Sequence, residues 1–182
     1  MMDPTKNVLS DIKEDVYTQA YAGSVKIDGV SIMEVRKFSG EDGVFEEILR
    51  VNEKGFLEKF PTFKISQVNY SRLLPGAIKA WHLHFNQEDI WYVSYTDNLL
   101  LGLWDVREHS KTKDAKMRVV MGAGSSKLVY IPRGVAHGVA NISSKEASII
   151  YFVNQTFNIS SPDEKRLPWD HAGVDFWKAE KG

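Results

Sequence analysis

Three of the chain's five histidines stand in two short stretches, and their spacing is the first sign of chemistry. His82 and His84 are separated by a single residue, and Glu88 follows four residues later. His137 comes much further along, behind the turn Pro132-Arg133-Gly134. Imidazole titrates near neutrality, so such residues suit proton transfer. Three imidazoles and a carboxylate also suit Fe, Mn, Ni or Zn. A lone inward-facing histidine is ordinarily a hydrogen-bonded core residue. Three at these spacings point to a shared concave site.

The elements that must position them read as β-strands. In a strand, alternate residues share a face, which puts His82 and His84 on one side and Leu83 on the other. Alternation over 63–71 sets Gln67 and Asn69 on one face, with Val68 and Tyr70 opposite. Further strands are expected near 30–35, 44–51, 76–85, 90–95, 99–106, 118–121, 127–131, 138–142 and 147–154. Gly/Pro/Asn/Ser turn signals separate them. Many short strands with regular turns predict an all-β fold, a jelly-roll β-barrel with short peripheral helices at the termini. The expected layout is a single domain over 1–182, with an N-terminal arm about 1–24 and a C-terminal cap about 158–182.

Bulk properties narrow the classes. A chain of 182 residues has room for a sizeable core, and its formal net charge is −1. That balance marks neither a nucleic acid nor a membrane as partner. There is no cysteine, which excludes disulfides, thiolate catalysis and Cys-zinc sites, and fits a cytoplasmic location. The start, Met1-Met2-Asp3-Pro4, has no signal-peptide pattern, and no apolar run reaches spanning length.

The spacing of the two clusters resembles the cupin superfamily. Gly76, His82, His84 and Glu88 match its first motif, G-x5-H-x-H-x3-E, although Tyr95 stands where a further glycine is expected. Pro132, Gly134, His137 and Asn141 match its second, P-x-G-x2-H-x3-N. A longer resemblance, from Ile27 to Trp177, is to the dTDP-4-dehydrorhamnose 3,5-epimerase family. It rests on Gln67, Asn69 and Ser71 (Q-x-N-x-S), on Lys79 to His82 (R-G-L-H) and on Asp105, Arg107 and Ser110 (D-x-R-x-x-S). It continues through Ile131 to Gly138 and the ending Tyr151 to Asp170.

This resemblance implies a homodimer that uses no cofactor and inverts carbons beside the ketone of a dTDP-4-keto-6-deoxy sugar. It assigns His82 as the base and Asp170 as its orienting carboxylate. Gln67, Asn69, Lys79, His84 and His137 would bind the substrate, a small-molecule nucleotide sugar of deoxysugar or polysaccharide biosynthesis. The chain also departs from the family. Gln155 to Asn158 holds no tyrosine where the family's proton donor falls, and Asp89 stands at the family's lysine. His84 replaces a glutamine, giving a pair that 3,4-ketoisomerases also carry. Two alternatives stay open at this point. One is a metal-dependent cupin with His82, His84, Glu88 and His137 as ligands to a divalent metal. The other is a non-catalytic sugar-binding cupin.

Overall fold

A computed structural model describes residues 6–18 and 25–180. Two five-stranded antiparallel sheets carry the fold. The strands are β1 (Ser31–Glu34), β2 (Lys37–Gly40), β3 (Gly43–Glu46), β4 (Gln67–Leu73), β5 (Ile78–Leu83) and β6 (Asp89–Val93). They continue with β7 (Asn98–Asp105), β8 (Lys116–Gly122), β9 (Lys127–Ile131), β10 (Val135–Ala140), β11 (Ala147–Val153) and β12 (Lys165–Arg166). One sheet runs β1-β9-β6-β11-β4 and the other β12-β5-β10-β7-β8, while β2 and β3 form a separate hairpin.

The main core lies between the sheets. Trp91, Val93, Val129 and Ile149 from one meet Leu99, Leu101, Leu103, Met121 and Val139 from the other. Burying such side chains stabilises by roughly 1.5–3 kcal/mol each. A second cluster, with Leu57, Phe63, Ile90 and Leu128, covers the outer face of the first sheet. A third packs Trp81, Leu83, Ala136 and Trp177 on the outer face of the second. The jelly-roll expectation holds in its two-sheet form, but hydrogen bonding does not close the sheets into a barrel. The expected terminal helices are only 3-10 turns, at Lys13–Asp15 and Val174–Trp177.

Two local shifts matter for the site. The strand expected over 63–71 begins at Gln67, because Phe63 is drawn into the outer cluster. The strand expected over 138–142 starts earlier, at Val135, so His137 lies within it and directly opposite His82 on β5. The β5–β10 register then slips, pairing Val139 with Lys79, so Lys79 and His82 both reach the cavity. Gly134 makes the entry to β10 possible. Its φ is 75°, and its N–H donates to the carbonyl of His84 at 2.8 Å, tying the two histidine segments together.

Candidate active site

A cavity of about 850 Å³ opens between the sheets. His82, His137 and Lys79 enter from the second sheet, with His84 just past the end of β5. Gln67, Asn69, Asp89, Trp91 and Tyr151 enter from the first. The tail from Gln155 to Arg166 forms one wall.

His82 is held at both nitrogens. Its Nδ1 lies 3.3 Å from Oε1 of Glu164, and its Nε2 accepts a hydrogen bond from Nη1 of Arg166 at 2.9 Å. Strand β12 pairs Arg166 opposite His82, Glu164 directly precedes the strand, and Glu164 and Arg166 are themselves ion-paired. Burial first, then the charges of His137, Arg166 and His84, push the His82 imidazole down to about 3, against the opposing pull of Asp89. The ring is therefore neutral at pH 7, with Nδ1–H toward Glu164 and a lone pair on Nε2.

His84 and His137 are likewise anchored through Nδ1. Nδ1–H of His84 donates to the carbonyl of Asp163 at 2.5 Å, and Nδ1–H of His137 to that of Val135 at 3.0 Å. His137 is 2% exposed, and its Nε2 has no hydrogen-bond partner. It faces Oδ2 of Asp89 at 3.6 Å. Asp89 is also buried, accepting from Trp91 Nε1 at 3.0 Å and Gln87 Nε2 at 2.8 Å. Burial would raise its carboxyl, but the facing His137, His84 and the Trp91 donor outweigh that and hold it low.

The loop between β5 and β6 is pinned by Asp163. Its carboxylate accepts from the backbone N–H groups of Phe85, Asn86 and Gln87 at 3.1, 2.7 and 2.8 Å. Burial pushes that carboxyl up, and the three donors more than reverse the effect. Polar groups of β4 and β5 in the cavity are also tied together. Gln67 Nε2 donates to Asn69 Oδ1 at 2.7 Å, and Gln67 Oε1 accepts the N–H of Phe157 at 2.9 Å. Lys79 Nζ crosses to Ser71 Oγ at 2.6 Å.

The structure brings His82, His84, His137, Gln67, Asn69 and Lys79 to one cavity. It does not bring Asp170 or Glu88 there. Asp170 is exposed, and its carbonyl closes a turn with Gly173 N–H at 2.8 Å. Glu164 stands at His82 in its place. Glu88 points away, ion-paired with Arg133 at 3.1 Å and accepting from Asn154 Nδ2 at 3.1 Å. A ligand set that includes Glu88 is therefore not assembled. Asp105, part of the family-like motif, does not line the cavity either. It accepts from Arg107 Nε, Arg107 Nη2, Ser110 Oγ and Thr112 Oγ1 at 2.8, 2.9, 2.5 and 2.7 Å, and so organises a turn.

Sequence reasoning gave no cavity role to Asp89, Tyr151, Glu164 or Arg166, all of which line it. Tyr151 was findable, since Ile149, Tyr151 and Val153 alternate inward on β11. Burial, then the charges of Asp89 and Glu164, raise its phenol against the pull of Arg166, so it carries its proton at neutral pH.

Comparison with known proteins bears on most of the chain. The sequence model of the dTDP-4-dehydrorhamnose 3,5-epimerase family matches residues 24–179. The spore coat polysaccharide biosynthesis protein SpsL of Bacillus subtilis (strain 168) is 39% identical over 155 residues, covering 85% of this chain and 98% of SpsL. A dTDP sugar isomerase from Desulfovibrio desulfuricans G20 superposes with a TM-score of 0.70 at 24% identity, over 82% of this chain and 90% of its own. NovW, a 4-keto-6-deoxy sugar epimerase from Streptomyces spheroides, gives 0.70 at 22% identity, over 84% and 76%. At those identities the two structures speak for the fold.

Proposed function

Because the chain belongs to the dTDP-4-dehydrorhamnose 3,5-epimerase family, we propose that it inverts a carbon beside the ketone of a nucleoside-diphosphate 4-keto-6-deoxy sugar. The observation that carries this reading is the placement of His82 and Tyr151 on opposing sheets across one cavity. Inversion needs a base on one face of the sugar ring and a proton donor on the other. A ketoisomerase that shuttles one proton along a single face would need no such partner across the gap.

In the proposed sequence, substrate displaces Arg166 from His82 Nε2. The freed lone pair takes the proton alpha to the ketone. The imidazolium is held by Glu164 at Nδ1, in the role the family gives to an aspartate. Tyr151 returns a proton from the opposite face, which offsets the missing tyrosine near Phe157. Displaced Arg166, with Lys79, is placed to meet the diphosphate, while Gln67 and Asn69 hydrogen-bond the sugar. The steps are proton transfers and call for no redox or organic cofactor. The relatives' names support a place in polysaccharide biosynthesis, and a cytoplasmic location belongs to the same proposal. So does a homodimer, supported by exposed Val68 and Tyr70 on the outer face of edge strand β4, and testable by light scattering.

The test is deuterium wash-in followed by NMR, with a dTDP-4-keto-6-deoxyhexose in heavy water. The wild type is expected to exchange and invert at a carbon flanking the ketone. His82→Asn should stop exchange, a loss on the order of 100-fold or more. Tyr151→Phe should exchange without inverting, because His82 then returns the proton from its own face. Inversion that survives Tyr151→Phe overturns the two-face reading. Substrate binding without exchange in the wild type would leave a sugar-binding protein instead.

A further inference from the structure

We propose that Arg166 is a latch on the base: it caps the lone pair of His82 until a diphosphate draws it away, so the site works only on sugars that carry a diphosphate. The latch rests on the epimerase reading. Proton abstraction needs a free lone pair on His82 Nε2, yet Arg166 Nη1 donates to that atom at 2.9 Å. A guanidinium is always a donor and never an acceptor, so this hydrogen bond occupies the lone pair. The cavity without substrate therefore holds its own base shut.

Three features make Arg166 a movable cap and not a fixed packing group. First, backbone pairing of β12 sets Arg166 opposite His82, while its side chain is half-exposed on the cavity wall. The strand can stay in place while the side chain swings. Second, Oε1 of Glu164 is shared. It faces His82 Nδ1 at 3.3 Å and also pairs with Arg166 Nη2. Drawing Arg166 away leaves that oxygen to His82 alone, so the step that frees Nε2 also strengthens the partner of Nδ1. Third, the guanidinium opposes the charge that catalysis creates, because an imidazolium at His82 would meet a second cation.

A ligand can open the latch only by holding the released Arg166 better than Glu164 and His82 do. A diphosphate has the chemistry for this, since its oxygens match the guanidinium fork in two parallel charge-assisted bonds. A sugar hydroxyl is neutral and does not compete with an ion pair. Lys79, bonded to Ser71 Oγ and paired with no carboxylate among the described residues, adds a second cation to the cavity. Binding energy from the diphosphate thus goes into freeing the base, and its loss lowers kcat as well as affinity.

The test follows deuterium exchange beside the ketone of a dTDP-4-keto-6-deoxyhexose and of the methyl glycoside of the same keto sugar, which lacks the diphosphate. Wild type should exchange the glycoside about 100-fold more slowly, and inorganic pyrophosphate added alongside it should raise that rate about 10-fold. Arg166→Ala should exchange the glycoside about 10-fold faster than wild type and the nucleotide sugar more slowly, with no response to pyrophosphate. A residue that only held the tail in place would lower both rates on substitution. That result overturns the latch, as does a wild type that ignores pyrophosphate. Long-range 1H–15N NMR of the His82 ring needs no turnover. Pyrophosphate should move the wild-type Nε2 resonance toward its position in Arg166→Ala, or in Arg166→Met if the alanine variant unfolds. An Nε2 resonance that pyrophosphate leaves unmoved overturns the latch too. Exchange of the nucleotide sugar with an unmoved Nε2 removes the latch and leaves the epimerase. A moved Nε2 with no exchange on either sugar removes the epimerase and leaves an anion-operated histidine.

Discussion

Two buried aspartates face opposite situations. Asp105 is fully buried at the end of β7, and every donor around it is matched: Arg107 by two nitrogens, Ser110 and Thr112 by their hydroxyls. Asp89 is nearly as buried at the start of β6, but only Gln87 and Trp91 donate to it at hydrogen-bond length, and its third neighbour, Nε2 of His137, stands off at 3.6 Å. A satisfied network holds one conformation. The looser set of contacts, around Asp89, lies in the cavity. Both aspartates sit in family-like stretches of sequence, so hydrogen-bond satisfaction, and not motif membership, separates structure from chemistry here.

The sharpest way to break the comparison is to remove each carboxylate. Asp105→Ala strands the Arg107 guanidinium and two hydroxyls, and should cost about 3–5 kcal/mol by urea denaturation. The molecules that remain folded should exchange substrate deuterium at the wild-type rate. Asp89→Asn should behave in reverse. The isosteric amide keeps an oxygen for Trp91 while the Gln87 amide can turn to meet the new NH2, so the stability loss should stay well below that of Asp105→Ala. Turnover should fall on the order of 100-fold, because the charge in the cavity is gone. If Asp89→Asn unfolds the chain and Asp105→Ala does not, the assignment of roles is inverted.

A smaller effect sharpens the site side. Glu164→Gln keeps an oxygen to accept Nδ1–H of His82 but removes the charge that would hold its imidazolium. A kcat loss of about 10-fold with unchanged KM is expected, matching removal of a transition-state interaction supplied through another residue. Glu164→Asp should recover part of it. A change confined to KM would mean that Glu164 only shapes the substrate pocket.

Much of this site was legible in the sequence, and the failures have physical causes. The strand period placed Gln67 and Asn69 on one inward face and carried His82 and His84 to one cavity. Glu88 and Asp89 illustrate the hazard of the same period. Side chains alternate by one residue, so a single-residue error in phase turns the wrong carboxylate inward. Glu88 went to Arg133, and Asp89 to the histidines. Glu164 and Arg166 left no periodic trace, because β12 is two residues long and exists only by pairing with β5 far back in the chain. Asp170 was read as the orienting carboxylate from the resemblance of the ending, Tyr151 to Asp170, to that of the family. The tail instead turns at Asp170 and seats Trp177 against Trp81, with ring centroids 4.7 Å apart.

The last prediction tests the structural half of the comparison by pH. Burial would raise the Asp105 carboxyl, but Arg107 first, then Ser110 and Thr112, hold it well below the usual carboxylate range. A carboxyl lowered on folding binds protons more readily in the unfolded chain, so stability rises with pH wherever the two states differ. The Asp105 contribution is therefore complete above the unfolded value of about 3.9 and is lost as pH falls toward the lower folded value. Urea midpoints measured from pH 6 down to pH 3 should converge for wild type and Asp105→Asn, as the wild type loses an advantage the variant never had. Parallel midpoints over that range would mean that Asp105 owes its place to packing and neutral hydrogen bonds, and the contrast with Asp89 would then rest on geometry alone.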